Sequence, residues 1–335
     1  MELIVKPTEK CNFKCTFCSS TNLVDDKASL LDLDKIFQFL KRFPKTQTII
    51  VNGGDPLMVT PDYYWKLIKY LDDHDLETSI SFTTNLWDFY IRPDKWIELF
   101  RHPRMGIATS FHYGETRRIS KDRVFKEEDF WNISNLFLEK IGYRPDFISV
   151  ISDENEKDAI RNVELAKQMG VECKLNYAMA SGDEKNPYLL SKIYKIYLDI
   201  IDKDLADWEF NTKQLKRRLY QGATACPQNR NCDSTIRCLQ PEGDYYSCGA
   251  FGDDKEFPID FEAEMNSDKI ERPLSKNIEI ASLKEECFSC PMFQICNGCK
   301  KTVKDLKKAN LIENHCVGMK KLSSKIVSIN EQYAH

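Results

Sequence analysis

The first 180 or so residues alternate between short apolar runs and longer helical patterns, and this alternation restricts the fold more than any other feature of the sequence. Each apolar run has four to eight residues and several are rich in β-branched side chains, which indicates buried strands. The predicted strands are Leu3–Val5, Thr48–Val51, Thr78–Phe82, Met105–Ser110, Asp146–Ile151 and Glu172–Tyr177. The segments between them predict helices near 33–43, 61–74, 93–101, 127–141 and 157–169. Strands that alternate with helices form parallel sheets with right-handed crossovers, so the sequence predicts an α/β fold.

After Gly182 the pattern changes, and a second region begins. A helical stretch covers about 187–220, and a cysteine-dense segment follows from Ala225. The segment includes an acidic stretch, Asp253–Asp268, which we expect to be a loop, and a basic helix from about 300. We therefore predict two domains, 1–215 and 216–335, and functional residues in the loops that follow the carboxyl ends of the first domain's strands.

The charge of the chain excludes several classes of protein. Its formal net charge is −4 and its pI is about 5.9, so no basic surface favours nucleic acid or anionic lipid. No apolar run approaches the roughly 18 residues that a membrane helix needs. The segment before Cys11 is too short and too charged for a signal peptide. We expect a cytoplasmic protein.

The 13 cysteines are the unusual part of the composition. In a reducing compartment such thiols more often bind metal or perform chemistry than form disulfides. They are also unevenly placed, because Cys11, Cys15 and Cys18 stand together, Cys173 is alone and nine more lie between Cys226 and Cys316. This distribution predicts metal sites.

The first group, Cys11-Asn-Phe-Lys-Cys15-Thr-Phe-Cys18, directly follows the first predicted strand. Three thiolates in eight residues can hold three irons of a 4Fe–4S cluster and leave the fourth iron open to a small molecule. The alternative is a zinc site, which normally has four ligands. The nearest histidine is His74, so the cluster is favoured.

This motif, with Phe17 before the third cysteine, resembles that of the radical S-adenosylmethionine (SAM) superfamily. In that family the open iron binds the amino and carboxylate groups of SAM, and the reduced cluster cleaves SAM to a 5′-deoxyadenosyl radical. The radical takes a hydrogen atom from the substrate. The resemblance implies an enzyme whose residues 1–215 form a partial (β/α)6 TIM-like barrel.

Further matches to the family stand at the ends of predicted strands. Gly53-Gly54-Asp55-Pro56 resembles the family's GGEP motif, with an aspartate that keeps the charge of the usual glutamate but shortens its reach. Arg123 would pair with the methionine carboxylate, unless it is only part of a solvated basic run. The resemblance implies the following SAM contacts: Phe17, Gly53, Gly54, Asp55, Pro56, Thr83, Asn85, Ser110, Arg123 and Met179.

The C-terminal cysteines resemble the SPASM extension of radical SAM enzymes that modify peptides and proteins. The family pattern has three residues between two of its cysteines, where this chain has the two of Cys296-Asn-Gly-Cys299. The resemblance implies a small SPASM domain with two auxiliary 4Fe–4S clusters. The first would be held by Cys226, Cys232, Cys248 and Cys299, and the second by Cys287, Cys290, Cys296 and Cys316. Two alternatives stay open, a zinc module on Cys287, Cys290, Cys296 and Cys299, and a single cluster with Cys238 in place of Cys232.

The assignment leaves Cys173 and Cys238 without iron. Either thiol would be able to return a hydrogen atom to a substrate radical, and either would equally be an inert core residue. Gly249 stands where sulfatase maturases carry an acid that acts as base, which argues against a sulfatase maturase.

The family resemblance predicts hydrogen abstraction from an unactivated C–H bond, with a ribosomal peptide or protein side chain as substrate. The product would be a thioether, a carbon–carbon crosslink, an epimer or an oxidised residue. One alternative is a radical dehydrogenase or epimerase of a sugar or aminocyclitol, and another is a non-catalytic iron–sulfur or zinc protein. We expect a flavodoxin- or ferredoxin-type reductant. Since Cys11 is preceded by ten residues, the sequence leaves open either a separate leader-peptide recognition protein or a small-molecule substrate.

Overall fold

The computed structural model describes residues 1–18, 29–182, 184–221, 235–269, 290, 292, 296 and 300–333. The chain divides into two compact units, each built from several segments. The first contains Met1–Ser110, Glu115–Pro145 and Asn231–Leu274, and the second contains Phe111–Gly114, Asp146–Arg230 and Ser275–His335. The predicted domain boundary at 215/216 remains a prediction, and the units divide the chain differently from it.

The strands of the described residues are β1 (Glu2–Val5), β2 (Thr48–Val51), β3 (Ser79–Thr83), β4 (Met105–Ser110), β5 (Arg118–Ser120), β6 (Arg123–Val124), β7 (Phe147–Ile151), β8 (Cys173–Tyr177), β9 (Ile236–Leu239) and β10 (Tyr245–Tyr246). In the first unit β1 to β4 pair in sequence order and are parallel, and β9 pairs in parallel with the other edge of β1. Strand β10 is antiparallel to β9, and β5 and β6 form a separate hairpin. In the second unit β7 and β8 are parallel.

The helices are α1 (Leu33–Arg42), α2 (Pro61–Asp73), α3 (Trp87–Ile91), α4 (Ile97–Phe100), α5 (Glu127–Ile141), α6 (Ala159–Met169), α7 (Leu190–Asp202), α8 (Phe210–Gln221), α9 (Gly249–Asp254), α10 (Phe261–Asn266), α11 (Lys300–Lys308), α12 (Ile312–Lys321) and α13 (Ser323–Tyr333). The six predicted strands are all present within one residue at each end, and helices alternate with them. The predicted α/β class with a parallel sheet is therefore confirmed. None of the helices in the described part of the chain is long and apolar enough to cross a membrane.

Two predictions of local structure are wrong. The helix predicted over 187–220 is broken into α7 and α8, because Asp204 adopts a φ of +57° and the buried Glu209 accepts a hydrogen bond from the Thr212 N–H. The stretch Asp253–Asp268 is not simply a loop, since it contains the end of α9 and all of α10. Asp260 caps α10 by accepting a hydrogen bond from the Ala263 N–H.

Strand β9 was not predicted, and a buried ion pair explains how it fits into the first unit. Arg237 interrupts the apolar pattern of this strand and is fully buried. Its Nε and Nη2 lie 2.7 and 2.6 Å from Glu264 Oε1, and Nη1 donates to the Ile236 carbonyl. A buried guanidinium is tolerated only with such partners. The ion pair ties β9 to α10, and β9 pairs with β1 in the same compact unit.

Candidate active site

The predicted cluster ligands Cys11, Cys15 and Cys18 lie in the loop that follows β1, and none of the three forms a disulfide with another described residue. Burial raises the pKa of Cys11, and the charge of the nearby Asp55 raises it further. Among the described residues no three side chains converge on a single metal ion. A cubane does not need such convergence, because each thiolate binds a different iron.

Several N–H groups point at these sulfurs. The Phe13 backbone N–H lies 3.4 Å from Cys11 Sγ and the Asn85 Nδ2 lies 3.8 Å from the same sulfur. The Arg118 backbone N–H donates to Cys15, and the guanidinium of Arg117 lowers the pKa of that thiol, although burial raises it more. Donors of this kind stabilise a bound thiolate and tune the potential of a cluster. The donor set therefore fits an iron–sulfur group.

The β5 segment holds the cysteine loop in place. The Lys14 N–H donates to the Arg118 carbonyl at 2.8 Å, and the Thr16 N–H donates to the Thr116 carbonyl at 3.0 Å. These bonds pair residues 14–16 with 116–118 in the manner of adjacent strands. The hairpin thus fixes the backbone on which Cys15 lies.

The two glycines after β2 are required by close contact with the same loop. The Gly54 N–H donates to the Thr8 carbonyl at 2.9 Å, and the Asp55 N–H donates to the Lys10 carbonyl at 2.8 Å. An ideal Cβ on Gly54 would lie 2.1 Å from the Lys10 oxygen, and one on Gly53 would lie 2.5 Å from the Thr8 oxygen. Gly53 also has a φ of +122°, where side chains are strained. The motif therefore packs against the loop that begins the cysteine motif.

Asp55 is buried, and donors of the chain itself surround its carboxylate. It accepts hydrogen bonds from the Leu57 N–H, the Asn85 N–H and the Thr84 hydroxyl at 2.8–3.0 Å. Burial raises its pKa to about 6, and these bonds oppose the rise. The side chain joins the carboxyl ends of β2 and β3. The following residue, Pro56, is also buried and begins a short 3₁₀ helix, Pro56–Met58.

The end of β3 reaches the cysteine loop through Asn85. Its Nδ2 donates to Asn12 Oδ1 at 2.7 Å, while its Oδ1 accepts from the Trp87 N–H at 2.8 Å. Thr83 is the last residue of β3 and is half-buried. Asn85, a polar residue just after β3, therefore positions the loop that carries Cys11.

Arg117 is buried beside the cysteine loop, whereas the predicted carboxylate partner Arg123 is exposed. Arg117 is 5% exposed, its Nη1 donates to Ser110 Oγ at 2.8 Å, and its guanidinium carbon lies 5.4 Å from the centre of the Phe17 ring. Its Nε is buried without a hydrogen-bond partner in the part of the chain that the structure describes. The side chain of Arg123 is 54% exposed and pairs with Asp129 on α5.

Sequence reasoning missed Arg117 because it sits in the run Thr-Arg-Arg. Successive side chains of an extended segment point to opposite faces, so one arginine of the pair should be buried and the other exposed. The sequence does not say which of the two this is. The register of the hairpin decides it.

The remaining predicted residues are distributed over both units. Cys238 is buried on β9 of the first unit, where Gln240 Nε2 lies 3.7 Å from its sulfur, and burial raises its pKa to about 11. Cys173 begins β8 of the second unit, and burial and the charge of Glu209 raise its pKa. Met179 follows β8 in the same unit and is half-buried.

Four of the eight predicted auxiliary ligands lie in the described residues. Cys248 precedes α9, and Cys290, Cys296 and Cys316 are all partly exposed thiols of the second unit. Cys296 Sγ lies 3.6 Å from Nε2 of His315, whose pKa burial lowers to about 4. The other four, Cys226, Cys232, Cys287 and Cys299, lie outside the described residues.

In α/β enzymes with parallel strands, functional residues lie in the loops after the carboxyl ends of the strands, where this chain carries its first thiol group after β1. The chain belongs to the radical SAM superfamily, whose family description matches residues 5–187. It is therefore a radical SAM enzyme, and family membership implies a 4Fe–4S cluster and SAM as cofactors. No curated protein matches the sequence significantly.

Solved structures resemble the chain over most or nearly all of its length. The structure titled native anSMEcpe with bound AdoMet is 16% identical, with a TM-score of 0.68 and 99% of each chain covered. The same protein with AdoMet and the Cp18Cys peptide matches equally well, at 16% identity, a TM-score of 0.68 and 99% of each chain. SuiB of Streptococcus suis, bound to S-adenosylmethionine, is 15% identical, with a TM-score of 0.59, 89% of this chain and 72% of that chain covered. These likenesses confirm the predicted fold class.

Proposed function

We propose that this chain uses Cys11, Cys15 and Cys18 to hold a 4Fe–4S cluster and SAM, and that it abstracts hydrogen from a peptide or protein side chain. The cluster and SAM would supply the 5′-deoxyadenosyl radical when bound. The observation that carries the proposal is the fixed thiol loop, which is tied to β5 and to the glycines after β2. The chain's own residues position the thiols and donate N–H groups to two of them.

Two known structures favour a peptide substrate. anSMEcpe has been solved with the Cp18Cys peptide, and SuiB with the precursor peptide SuiA. By analogy we propose a peptide or protein side chain here as well. The reductant would be of the flavodoxin or ferredoxin type, and a separate protein would recognise a leader peptide. No described residue favours a sugar or aminocyclitol substrate. Membership of a family of enzymes argues against the alternative of a non-catalytic iron–sulfur or zinc protein.

Arg117 and Ser110 together form the anion-binding part of the proposed SAM site. The guanidinium is buried next to the thiol loop, and its Nε has no partner among the described residues. A carboxylate would satisfy that donor and neutralise the charge. We therefore assign to Arg117 the role that the sequence pattern suggested for Arg123.

Arg117→Met should raise the Kd for SAM roughly 10- to 100-fold, because a hydrogen bond to a charged group contributes about 1.5–3 kcal/mol. Anaerobic equilibrium dialysis of the reconstituted enzyme measures it. Arg123→Met is the competing variant, since its exposed pair with Asp129 is expected to contribute little. A larger loss of affinity for SAM in Arg123→Met than in Arg117→Met would contradict the assignment and show that Arg123 binds the carboxylate.

We also propose the two auxiliary clusters that the cysteine pattern suggests. The described part of this region offers Cys248 at the start of α9 and Cys296 beside His315. Three complete clusters correspond to about 12 irons per chain.

Cys248→Ser should lower the iron content by about four per chain and leave the cleavage of SAM intact, because the variant removes one ligand of a single auxiliary cluster. Iron analysis after anaerobic reconstitution, together with the Mössbauer spectrum, gives the count. A wild-type content of about four irons would show that the auxiliary clusters are absent. Zinc in place of the other roughly eight irons would favour the zinc module.

A further inference from the structure

Asp55 is the acidic residue of the glycine motif after β2, and its carboxylate is enclosed by the protein. The residue is 2% exposed. Its Oδ1 accepts from the Leu57 N–H at 2.9 Å and from the Thr84 hydroxyl at 2.9 Å. Its Oδ2 accepts from the Asn85 N–H at 2.8 Å and lies 3.0 Å from the same hydroxyl. Donors of the chain itself thus occupy both carboxylate oxygens.

Asn85 connects this carboxylate to the cysteine loop. The orientation of its carboxamide is fixed, because Oδ1 accepts from the Trp87 N–H at 2.8 Å and Nδ2 therefore faces the other way. Nδ2 donates to Asn12 Oδ1 at 2.7 Å and to Cys11 Sγ at 3.8 Å. The backbone N–H of Asn85 is thus held by Asp55, while its side chain donates to a sulfur of the proposed cluster site.

The turn that follows Asn85 is strained. Leu86 has a φ of +59°, in the left-handed region that residues other than glycine seldom adopt. Such a conformation persists only where the surrounding contacts hold it. Here the Leu86 N–H donates to Thr84 Oγ1 at 3.1 Å, and the hydroxyl of Thr84 donates in turn to Asp55. The carboxylate therefore stabilises the turn as well as the backbone of Asn85.

We propose that Asp55 is a positioning residue for the SAM-binding cluster rather than a side chain that binds SAM: its carboxylate holds Asn85, and the Asn85 amide donates to the sulfur of Cys11. A donor at a ligand sulfur favours the reduced, more negatively charged cluster and so raises its midpoint potential. Aspartate suits this role, because a side chain one methylene longer would push its carboxylate past donors that lie at 2.8–3.0 Å. The inference rests on the proposed function, since it requires a cluster held by Cys11, Cys15 and Cys18.

Asp55→Glu separates the two roles, because it keeps the charge and introduces the usual residue of the family motif. If Asp55 positions Asn85, the variant should shift the midpoint potential of the SAM-binding cluster to more negative values and should not lower the Kd for SAM. An anaerobic redox titration monitored by EPR and equilibrium dialysis measure the two quantities. Asp62→Glu is the matched control, since this exposed acid in the first turn of α2 undergoes the same change in length and should alter neither. A lower Kd for SAM in Asp55→Glu, as expected of a SAM ligand with a longer reach, or a wild-type potential would overturn the proposal.

Asn85→Asp tests whether the effect of Asp55 passes through Asn85. The variant keeps an acceptor for the Trp87 N–H and loses the donor to Cys11, so the potential should again become more negative. Adding Asp55→Glu to Asn85→Asp should then cause little further shift, because residues that act through one contact are not additive. Fully additive shifts would show that Asp55 acts on the cluster directly, and they would overturn the proposal.

If Asp55→Glu assembles no cluster, two variants of Thr84 decide the matter without a change of charge. Thr84→Val removes the hydroxyl that donates to Asp55 and should shift the potential to more negative values, whereas Thr84→Ser keeps the hydroxyl and should retain the wild-type potential. Equal potentials in the two variants would overturn the proposal. Failure of the proposed function is seen separately, because a SAM-binding cluster that persists in Cys15→Ala would contradict the ligand assignment itself.

Discussion

Gly54→Ala should prevent the first cluster from assembling and lower the free energy of unfolding by about 4 kcal/mol or more, in the range of the most damaging single substitutions. The added Cβ would lie 2.1 Å from the Lys10 oxygen and 2.3 Å from the Glu9 oxygen. Both are backbone atoms, so no side-chain rotation relieves the contact. The loop that leads to Cys11 would have to move, which would also break the hydrogen bond from the Asp55 N–H to Lys10.

Denaturant unfolding and iron analysis of the purified variant measure the two effects. Gly106→Ala is the control on β4, because its ideal Cβ would have no heavy atom nearer than 4.0 Å. That substitution should change the free energy of unfolding by less than about 1 kcal/mol. A Gly54→Ala protein with normal iron and stability would show that the loop does not approach Gly54 as closely as described.

Cys15→Ala should reduce the formation of 5′-deoxyadenosine to background. Cys15 is a buried thiol, and it is held by the Arg118 N–H and by pairing of the loop with β5. A cube with only two protein ligands loses its anchoring, and the irons are no longer positioned for SAM. Chromatography of the products after addition of dithionite and SAM gives the yield.

Cys173→Ala is the control for Cys15→Ala, with iron content as the readout. Cys173 is equally buried but belongs to the second unit and is not a proposed ligand. It should keep the iron content of the wild type. Cleavage of SAM by Cys15→Ala at the wild-type rate would refute the assignment of the thiol loop.

The parts of the fold that follow from local pattern were predictable. Strands β2 and β4 are short apolar runs with the predicted bounds, and their periodicity is sufficient to find them. Strand β9 was not predictable in this way, because Arg237 breaks its apolar pattern and is compensated by Glu264, which is 27 residues further on. Long-range compensation of this kind leaves no signal in a local window.

In the candidate site, too, some residues could be identified from local sequence, and others depend on contacts that are distant in the sequence. The cysteine spacing and the glycine pair identify the thiol loop from sequence alone, because each depends on neighbouring residues. The choice between Arg117 and Arg123 depends on the register of a hairpin with the cysteine loop, which local sequence does not encode. The carboxylate of Asp55 is likewise surrounded by donors from two different strand ends.

The pairing of β9 with β1 has a consequence for biosynthesis. Strand β1 acquires its second neighbour only when residues 236–239 have emerged from the ribosome, and the ion pair of Arg237 forms only after Glu264 has been made. Contacts this distant in sequence form slowly, and an open strand edge is prone to self-association meanwhile. Nascent chains would therefore need protection of that edge until residues 236–239 have emerged.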